Sequence, residues 1–483
     1  MTTSTPAVRV AGWALLITAF LTVTSVPSAA AQQPSDSGNQ PVDAPQQPAA
    51  AAPQGAANPQ QPVATAGQQP PVRTAEPEPG PQPTAQTGQA AKNPPLPPVP
   101  ADKPELEIYG FGQADAIVDF EQNNPDWYDV NRPTKLPAFH HEFGRDGHFY
   151  LSPRQSRFGA KADIPTSNGD VFAQFEFDMF GVGAFAGETT IRLRHAYGQW
   201  KRIGAGQTNS QFMDVDVFPN VLDYWGPNGM LFFRNTQVYY ELYKDGDSNA
   251  RVAIENPGAS ADAGHLANRI ELQNVVGRFP APDLTGHYRK AYDRGYFQIG
   301  GALRLMEHDD LLPNDPFDLN GHNWGYGLAF SGAIKTGVKP DYTTNNLHLM
   351  FVWGRGVENY FNDAPVDVGA EPNPGNTVTP VIGEALRDIG ITAYLDHYWS
   401  EKFSSTAGYS RVSIDNSELQ LPTAFRLGQY ATANLVWYPV KNVMMGGEFQ
   451  WANRRNFSDG FRTSDYRLQF SFKYSFSATI VGG

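Results

Sequence analysis

Charged side chains of one sign recur two residues apart in several segments of the sequence. Arg192 and Arg194 form one such pair, and Glu176 and Asp178 form another. Successive side chains of a β-strand point to opposite faces, so a spacing of two places both members of a pair on the same face. Guanidinium groups bind carboxylates and phosphates through forked hydrogen bonds. The arginine pair therefore favours the binding of anions such as carboxylates.

The segments around these pairs alternate between apolar and polar residues. In residues 466–476 every even position is apolar or aromatic and every odd position is polar, with Arg467 and Lys473 among the polar ones. Residues 171–179 alternate in the same way, and Phe172 is the one exception. A period of two over about ten residues predicts strands with one apolar face and one polar face.

Three features favour a membrane-spanning β-barrel over a soluble β-sandwich, the alternative that alternation alone leaves open. Strands of about ten residues exceed the usual length in globular proteins and suit a tilted membrane strand. Long segments rich in Asp, Asn, Gly and Pro, such as 307–321 and 362–380, alternate with tight ones such as 165–170 and 243–248. Aromatic residues lie near the predicted strand ends, as in the interfacial girdles of membrane barrels. They are Tyr150, Trp200, Tyr239, Tyr240, Trp324, Tyr326, Trp437 and Tyr438.

The length of the aromatic-rich part sets the strand number. Residues 105–483 hold 58 of the 60 aromatic residues. At about 24 residues per strand and its share of loop, these 379 residues predict an all-β, antiparallel transmembrane barrel of about 16 strands, with 18 as the alternative. A barrel of that width leaves a water-filled lumen.

Charges facing lipid are costly, so we expect the strands to direct a basic ladder into the lumen. Its members are Arg157, Lys161, Arg192, Arg194, Arg467 and Lys473.

Two interpretations of the lumen charges remain open. Glu176 and Asp178 lie on a strand that pairs with the one carrying Arg192 and Arg194, so an anionic wall could face a cationic one and create a transverse field. Alternatively, the charges neutralise one another and make the wall rigid. In the first case the basic ladder favours anionic solutes, with small carboxylates as the natural class.

Two N-terminal segments differ from the rest in composition. Residues 1–31 combine Arg9, an apolar stretch at 10–23 and small residues at 29–31, which is the pattern of a cleaved secretory signal peptide. An uncleaved membrane helix is the alternative. Residues 32–104 contain 19 Pro, 13 Gln and 14 Ala and no aromatic residue. They cannot form a hydrophobic core, so we predict a disordered periplasmic tether.

The overall composition excludes several classes of protein. The 483-residue chain has no Cys, which removes disulfide scaffolds, thiolate nucleophiles and Cys-ligated zinc. A net charge of −13 without basic clusters argues against a nucleic-acid partner. His140, His141 and His148 lie near Glu142 and Asp146, but their spacing is not that of a metalloprotease helix. We predict no catalytic residue, no cofactor and no metal.

The sequence resembles the DcaP-like family of trimeric porins. The residues that carry the resemblance are 108–115, 152–159, 206–214 and 473–476. The resemblance implies a homotrimer of 16-stranded barrels in a Gram-negative outer membrane that takes up small, often negatively charged solutes by diffusion. The positions that it places near the pore are Arg154, Arg157, Arg192 and Arg194.

The chain departs from the family pattern at both ends. Family members can carry an N-terminal periplasmic coiled coil, whereas this chain has the Pro/Gln-rich tether. Outer-membrane strands usually end in a terminal aromatic residue, whereas Phe476 is followed here by residues 477–483.

The function predicted from these features is passive diffusion of small anionic, hydrophilic solutes through the lumen. The partners expected are outer-membrane lipid, those solutes and two further copies of the chain. The alternatives are a structural or adhesive barrel without a permanently open pore, and a barrel-embedded hydrolase. Residues 215–226 and 363–380 are the candidates for a loop that narrows the lumen.

Overall fold

The computed structural model describes residues 103–312, 316–337 and 345–482. The predicted signal peptide and all but the last two residues of the predicted tether lie outside these ranges. The described strands are β1 Glu105–Asp119, β2 His148–Ser152, β3 Arg157–Ile164, β4 Val171–Phe180, β5 Thr189–Trp200, β6 Ile203–Asn209, β7 Arg234–Asp245, β8 Ser248–Glu255, β9 Ala261–Asp262, β10 Val275–Arg278, β11 Asp283–Tyr292, β12 Gly295–Asp310, β13 Gly321–Gly337, β14 Asn345–Arg355, β15 Val368–Pro372, β16 Val381–Ala385, β17 Arg387–Ser400, β18 Phe403–Asp415, β19 Phe425–Trp437, β20 Val443–Asn456 and β21 Arg462–Val481. Short 3-10 helices span Pro125–Trp127, Pro133–Lys135, Gly183–Phe185, Val215–Val217, Gly264–Leu266, Ile270–Asn274 and Glu358–Tyr360. No helix in the described ranges has the length and apolar content to span a bilayer.

Eighteen of these strands form one closed antiparallel sheet. The first strand, β1, pairs with the last, β21, from Glu105 opposite Val481 to Asp119 opposite Arg467, which closes the barrel. The strands β2 and β3 both pair with β1 and act as one interrupted strand, and β10 and β11 pair with β12 in the same way. Eighteen strands less these two duplicates give 16, so the predicted barrel and strand number are confirmed.

The two ends of the barrel differ in the length of their connections. At one end, turns of two residues join β5 to β6, β7 to β8, β11 to β12 and β17 to β18. At the other end the connections are long, and the longest described are 120–147, 210–233 and 356–386. Both described chain ends lie at the short-turn end, where Glu105 pairs with Val481. The predicted contrast between a long-loop end and a short-turn end is therefore present.

Several predicted boundaries are wrong. The strand β12 continues to Asp310, so the loop expected at 307–321 begins only after that residue. Part of 362–380 is the strand β15, which forms a small separate sheet with β9 and β16. The last strand extends beyond Phe476 to Val481.

The outer face of the barrel is apolar and the inner face is polar, as the alternation predicts. Five of the eight girdle aromatics are exposed on the outer face: Trp200, Tyr240, Trp324, Tyr326 and Trp437. The other three point inward. The Tyr239 hydroxyl donates to Gln199 Oε1 at 2.8 Å, the Tyr438 hydroxyl accepts from an inner loop, and the Tyr150 ring packs on Tyr128. Nearness to a strand end does not fix the face of the sheet, because the face depends on odd or even position.

Candidate functional site in the barrel lumen

Residues 210–233, which we call the crossing loop, run across the interior of the barrel. The loop leaves β6 and returns to β7, yet its backbone bonds strands on the far wall. Gly229 N donates to Ser410 Oγ at 2.8 Å. The backbone N–H groups of Leu222 and Asp223 donate to the Glu448 carboxylate at 2.7 and 2.9 Å. This loop contains the predicted candidate 215–226.

The amino-acid content of the crossing loop explains why it folds inward. Most of its apolar side chains are almost fully buried, although a loop on the surface would expose them to water. Each buried large apolar side chain contributes about 1.5–3 kcal/mol. The main cluster includes Phe212, Met213, Val217, Phe218, Met230, Leu231 and Phe232, packed on Val357, Tyr360 and Phe361 of the connection between β14 and β17.

Two other long connections join the crossing loop through Arg132. The Arg132 Nε donates to Asp363 Oδ1 at 2.8 Å, and both side chains are buried. The same guanidinium lies 3.8 Å from the Trp225 ring centroid and 4.3 Å from that of Trp127. An arginine between two indole faces is stabilised by cation–π attraction. The three connections therefore form one packed unit inside the long-loop half of the barrel.

A buried charge cluster lies beneath this unit, on β4 and β5. Asp178 accepts from Arg192 at 2.5 Å and from Arg194 at 3.0 Å. Glu176 accepts from Arg194 Nε at 2.6 Å, and the Tyr224 hydroxyl of the crossing loop accepts from Arg194 at 2.8 Å. The predicted arginine and carboxylate pairs are thus direct neighbours on adjacent strands. They neutralise one another locally and do not face each other across the lumen.

Three basic side chains of the inner wall are not neutralised in this way. The Arg157 Nε is 3.6 Å from Glu176, a carboxylate that already binds Arg194. Lys473 and Lys161 make no ion pair with any described residue, and their ammonium groups lie 5.1 Å from the Phe111 ring and 4.6 Å from the Tyr109 ring.

The three uncompensated cations lie on adjoining strands. Both β3, which carries Arg157 and Lys161, and β21, which carries Lys473, pair with β1. The Phe111 ring of β1 lies 5.3 Å from the Arg157 guanidinium, so Arg157 and Lys473 both contact that ring. Arg157 Nε and Nη2 have no hydrogen-bond partner among the described residues. These three cations, none of which has a carboxylate of its own as an ion-pair partner among the described residues, therefore lie together on β3 and β21.

The remaining predicted residues, Arg154 and Arg467, bind the connection between β1 and β2. Arg154 donates to Asp129 at 2.6 Å and to the Gly181 carbonyl at 2.9 Å. Arg467 contacts Asp119 at 2.5 Å and also donates to the carbonyl groups of Tyr128 and Val130. Both guanidinium groups are fully paired and buried, and they fix the position of this connection.

Asp223 is the titratable group of the crossing loop that responds near neutral pH. Burial, followed by the nearby charge of Glu448, raises the pKa of Asp223 to about 7, against opposing effects of Tyr430 and Arg467. The Tyr430 hydroxyl donates to the Asp223 carboxylate at 2.9 Å. Asp223 is therefore neutral in mildly acidic solution and charged beside Glu448 in alkaline solution.

We expect the contact between the crossing loop and the far wall to weaken as pH rises through about 7. The folded-state pKa of Asp223 lies above its usual value, so the stabilisation is complete below about pH 4 and decreases up to about pH 7. Current fluctuations of single channels should increase from pH 6 to pH 8.5, and Asp223→Asn should remove most of that increase. Asp293→Asn, in an exposed turn, should leave it unchanged. Identical pH dependence in Asp223→Asn and wild type would contradict this assignment.

Comparison with known proteins gives the same architecture. A model of the DcaP outer membrane protein family matches residues 85–312. The crystal structure of the outer membrane channel DcaP of Acinetobacter baumannii matches with a TM-score of 0.64 and 20% identity, covering 77% of this chain and 97% of that chain. Residues 85–312, just under half of the chain, are therefore similar to the DcaP outer membrane protein family. The chain thus has the barrel fold of an outer-membrane channel, as the resemblance predicted.

Other solved structures resemble this barrel with lower TM-scores. An anion-selective porin from Comamonas acidovorans is 9% identical, with a TM-score of 0.49 and coverage of 77% of this chain and 100% of that chain. The trimer form of OmpT from Vibrio cholerae is 10% identical, with a TM-score of 0.45 and coverage of 78% of this chain and 100% of that chain. These similarities are too low to carry an argument about this chain. No curated protein matches the sequence.

Apart from Glu176 and Asp178, the partners of the predicted residues were not found from the sequence. Tyr224 and Glu448 complete the contacts of the crossing loop, while Asp119 and Asp129 neutralise Arg467 and Arg154. One available signal was the apolar content of 212–232, which is unusual for an exposed loop. No described group of three or more His, Asp or Glu residues has the geometry to hold a metal ion.

Proposed function

We propose that the barrel is a passive channel for small anionic, hydrophilic solutes, with carboxylates as the best-matched class. A closed sheet of 16 strands is too wide for its own side chains to fill. The crossing loop narrows this lumen, so the loop and the wall beside it control the passage of solutes. The proposal does not include an enzymatic activity.

The observation that carries the proposal is the uncompensated positive charge on the inner wall. Arg192 and Arg194 have carboxylate partners, whereas Lys161 and Lys473 make no ion pair among the described residues. Arg157 shares its distant carboxylate with Arg194. Cations in a confined, partly desolvated passage raise the local concentration of anions. The net charge of −13 belongs to the whole chain and does not describe this wall.

The proposal includes the cellular setting. We propose that the chain is exported by a cleaved signal peptide at 1–31 and that residues 32–104 form a periplasmic tether. The barrels then form a homotrimer in a Gram-negative outer membrane. Support for the tether comes from the position of Glu105 at the short-turn end, opposite the long loops. Support for close packing of barrels comes from the small outward residues of β1, Gly112, Ala114 and Ala116.

A liposome-swelling assay tests the proposal. Liposomes that contain the protein should swell faster in a small dicarboxylate than in a neutral sugar of similar size, because the wall cations attract the anion. The variant with Arg157→Gln and Lys473→Gln should lose most of this preference while keeping the rate for the sugar. Absence of swelling in both solutes would instead support the structural or adhesive alternative.

A further inference from the structure

Three arginines on the outer face of the long-loop end lack an ionic partner. Arg411 of β18, Arg455 of β20 and Arg462 of β21 are exposed, and none makes an ion pair with a described residue. Two other outward arginines of this end are neutralised: Arg355 binds Glu384 at 2.5 Å, and Arg387 Nε donates to Asp415 at 2.7 Å. The local excess of positive charge is therefore specific to strands β18 to β21.

The strand register brings these arginines together. Arg455 lies directly opposite Arg462. One row nearer the short-turn end, Gln429 is opposite Arg411 on one side and Asn453 on the other. Like charges directly opposite each other destabilise a strand pair. The pairing of Arg455 with Arg462 is therefore unfavourable unless an anion lies between the two guanidinium groups.

A polar depression lies beside Arg455 and Arg462 on the barrel surface. Its volume is about 310 Å³, and Gln429, Trp451, Asn453, Arg455, Arg462 and Ser464 line it. The Asn453 side chain is only 7% exposed. Its Nδ2 donates to the Thr463 carbonyl at 2.8 Å and to Ser464 Oγ at 3.1 Å, while its Oδ1 accepts no hydrogen bond from any described residue. The depression thus offers two guanidinium groups for an anion and a buried acceptor for a hydroxyl group.

The height of the depression relative to the membrane follows from the aromatic residues. Trp451 and Tyr466 are opposite each other, and each lies four residues nearer the short-turn end than Arg455 and Arg462. Four residues span about 13 Å along a strand. Outward aromatic residues mark the membrane interface, so the two arginines lie at the level of the lipid headgroups on the long-loop side.

We propose that Arg411, Arg455 and Arg462 bind a phosphate group of a phosphorylated glycolipid in the outer leaflet, whose sugar ring contacts Asn453 and Trp451. Guanidinium groups bind phosphate through paired, charge-assisted hydrogen bonds. The unpartnered Asn453 Oδ1 accepts from a sugar hydroxyl, and an aromatic ring beside it suits the apolar face of a sugar. This inference rests on the proposed location in the outer membrane and is independent of the solute that permeates.

Native mass spectrometry of the full chain in detergent tests this site. The protein is mixed with bis-phosphorylated lipid A, with dephosphorylated lipid A and with inorganic phosphate, each alone. Wild type should retain the bis-phosphorylated lipid at least about 10-fold better than the variant Arg455→Ala/Arg462→Ala does. Wild type should also retain the bis-phosphorylated lipid better than it retains the dephosphorylated lipid. Arg387→Ala, which removes an arginine already paired with Asp415, should retain it as wild type does.

Three results would overturn the assignment. Equal retention by wild type and Arg455→Ala/Arg462→Ala would exclude the arginines. Equal binding of inorganic phosphate and lipid would identify a free-ion site. A smaller assembly with unchanged lipid retention in the double variant would identify an interface between copies of the chain. Channel conductance of the double variant, which should equal that of wild type, separates failure of this site from failure of the proposed channel.

Discussion

Replacing residues 213–231 of the crossing loop with a short Gly-Ser linker is expected to raise single-channel conductance severalfold. The flanking residues Asn209 and Arg234 are opposite each other on adjacent strands, so a short linker can close the gap. The replacement removes Tyr224 and Trp225, which fill the interior together with Trp127 and Phe180. The lumen that remains is that of an open 16-stranded barrel, which is wide enough for an aqueous channel.

The control for this experiment is a replacement of residues 458–460, an exposed turn between β20 and β21, with Gly-Ser-Gly. It should leave conductance at the wild-type value. The heat-dependent shift of the folded barrel in gel electrophoresis would show whether both variants fold. A folded variant without the crossing loop but with wild-type conductance would mean that the loop does not limit ion flow.

Arg467→Ala is expected to lower stability more than the loss of any exposed arginine. The guanidinium group contacts Asp119 at 2.5 Å and Asp465 at 2.8 Å, and all three side chains are buried. Removing it leaves two buried carboxylates without their cation, which costs about 3–5 kcal/mol. It also removes the donors to the carbonyl groups of Tyr128 and Val130, so the connection between β1 and β2 loses its contact with the wall.

The matched control is Arg387→Ala. It breaks the ion pair of Arg387 with Asp415, in which both side chains are exposed to solvent. Such surface pairs contribute at most about 1 kcal/mol. The temperature at which the barrel unfolds in detergent should therefore fall much further for Arg467→Ala than for Arg387→Ala. Equal decreases would show that the buried pairs of Arg467 contribute no more than a surface ion pair.

The strands and their faces could be predicted from local alternation. The pattern of 466–476 placed Arg467 and Lys473 on the inner face, and both side chains are buried there. The same alternation explains why Tyr239 does not belong to the outer aromatic girdle. Its neighbours Val238 and Tyr240 are exposed on the outer face, so Tyr239 points inward. Alternation depends only on neighbouring residues, so it can be recognised in a single sequence.

Partners that are distant in the sequence could not be predicted in this way. Arg132 and Asp363 are separated by 231 positions, and Arg467 and Asp119 by 348. Alternation states that a side chain points inward but not which inward side chain it meets. The register of the closed barrel and the path of the crossing loop decide these pairings. Alternation left open whether Glu176 and Asp178 neutralise Arg192 and Arg194, and the register of the β4–β5 hairpin decides that they do.

The reversal potential across a planar bilayer under a potassium chloride gradient tests the central claim most directly. We predict a potential of the sign that chloride-selective current produces, and a shift toward zero in the variant Arg157→Gln/Lys473→Gln. Arg387→Gln, on the outer face, should leave the potential unchanged. A wild-type potential of the sign that potassium-selective current produces would contradict the proposed anion channel.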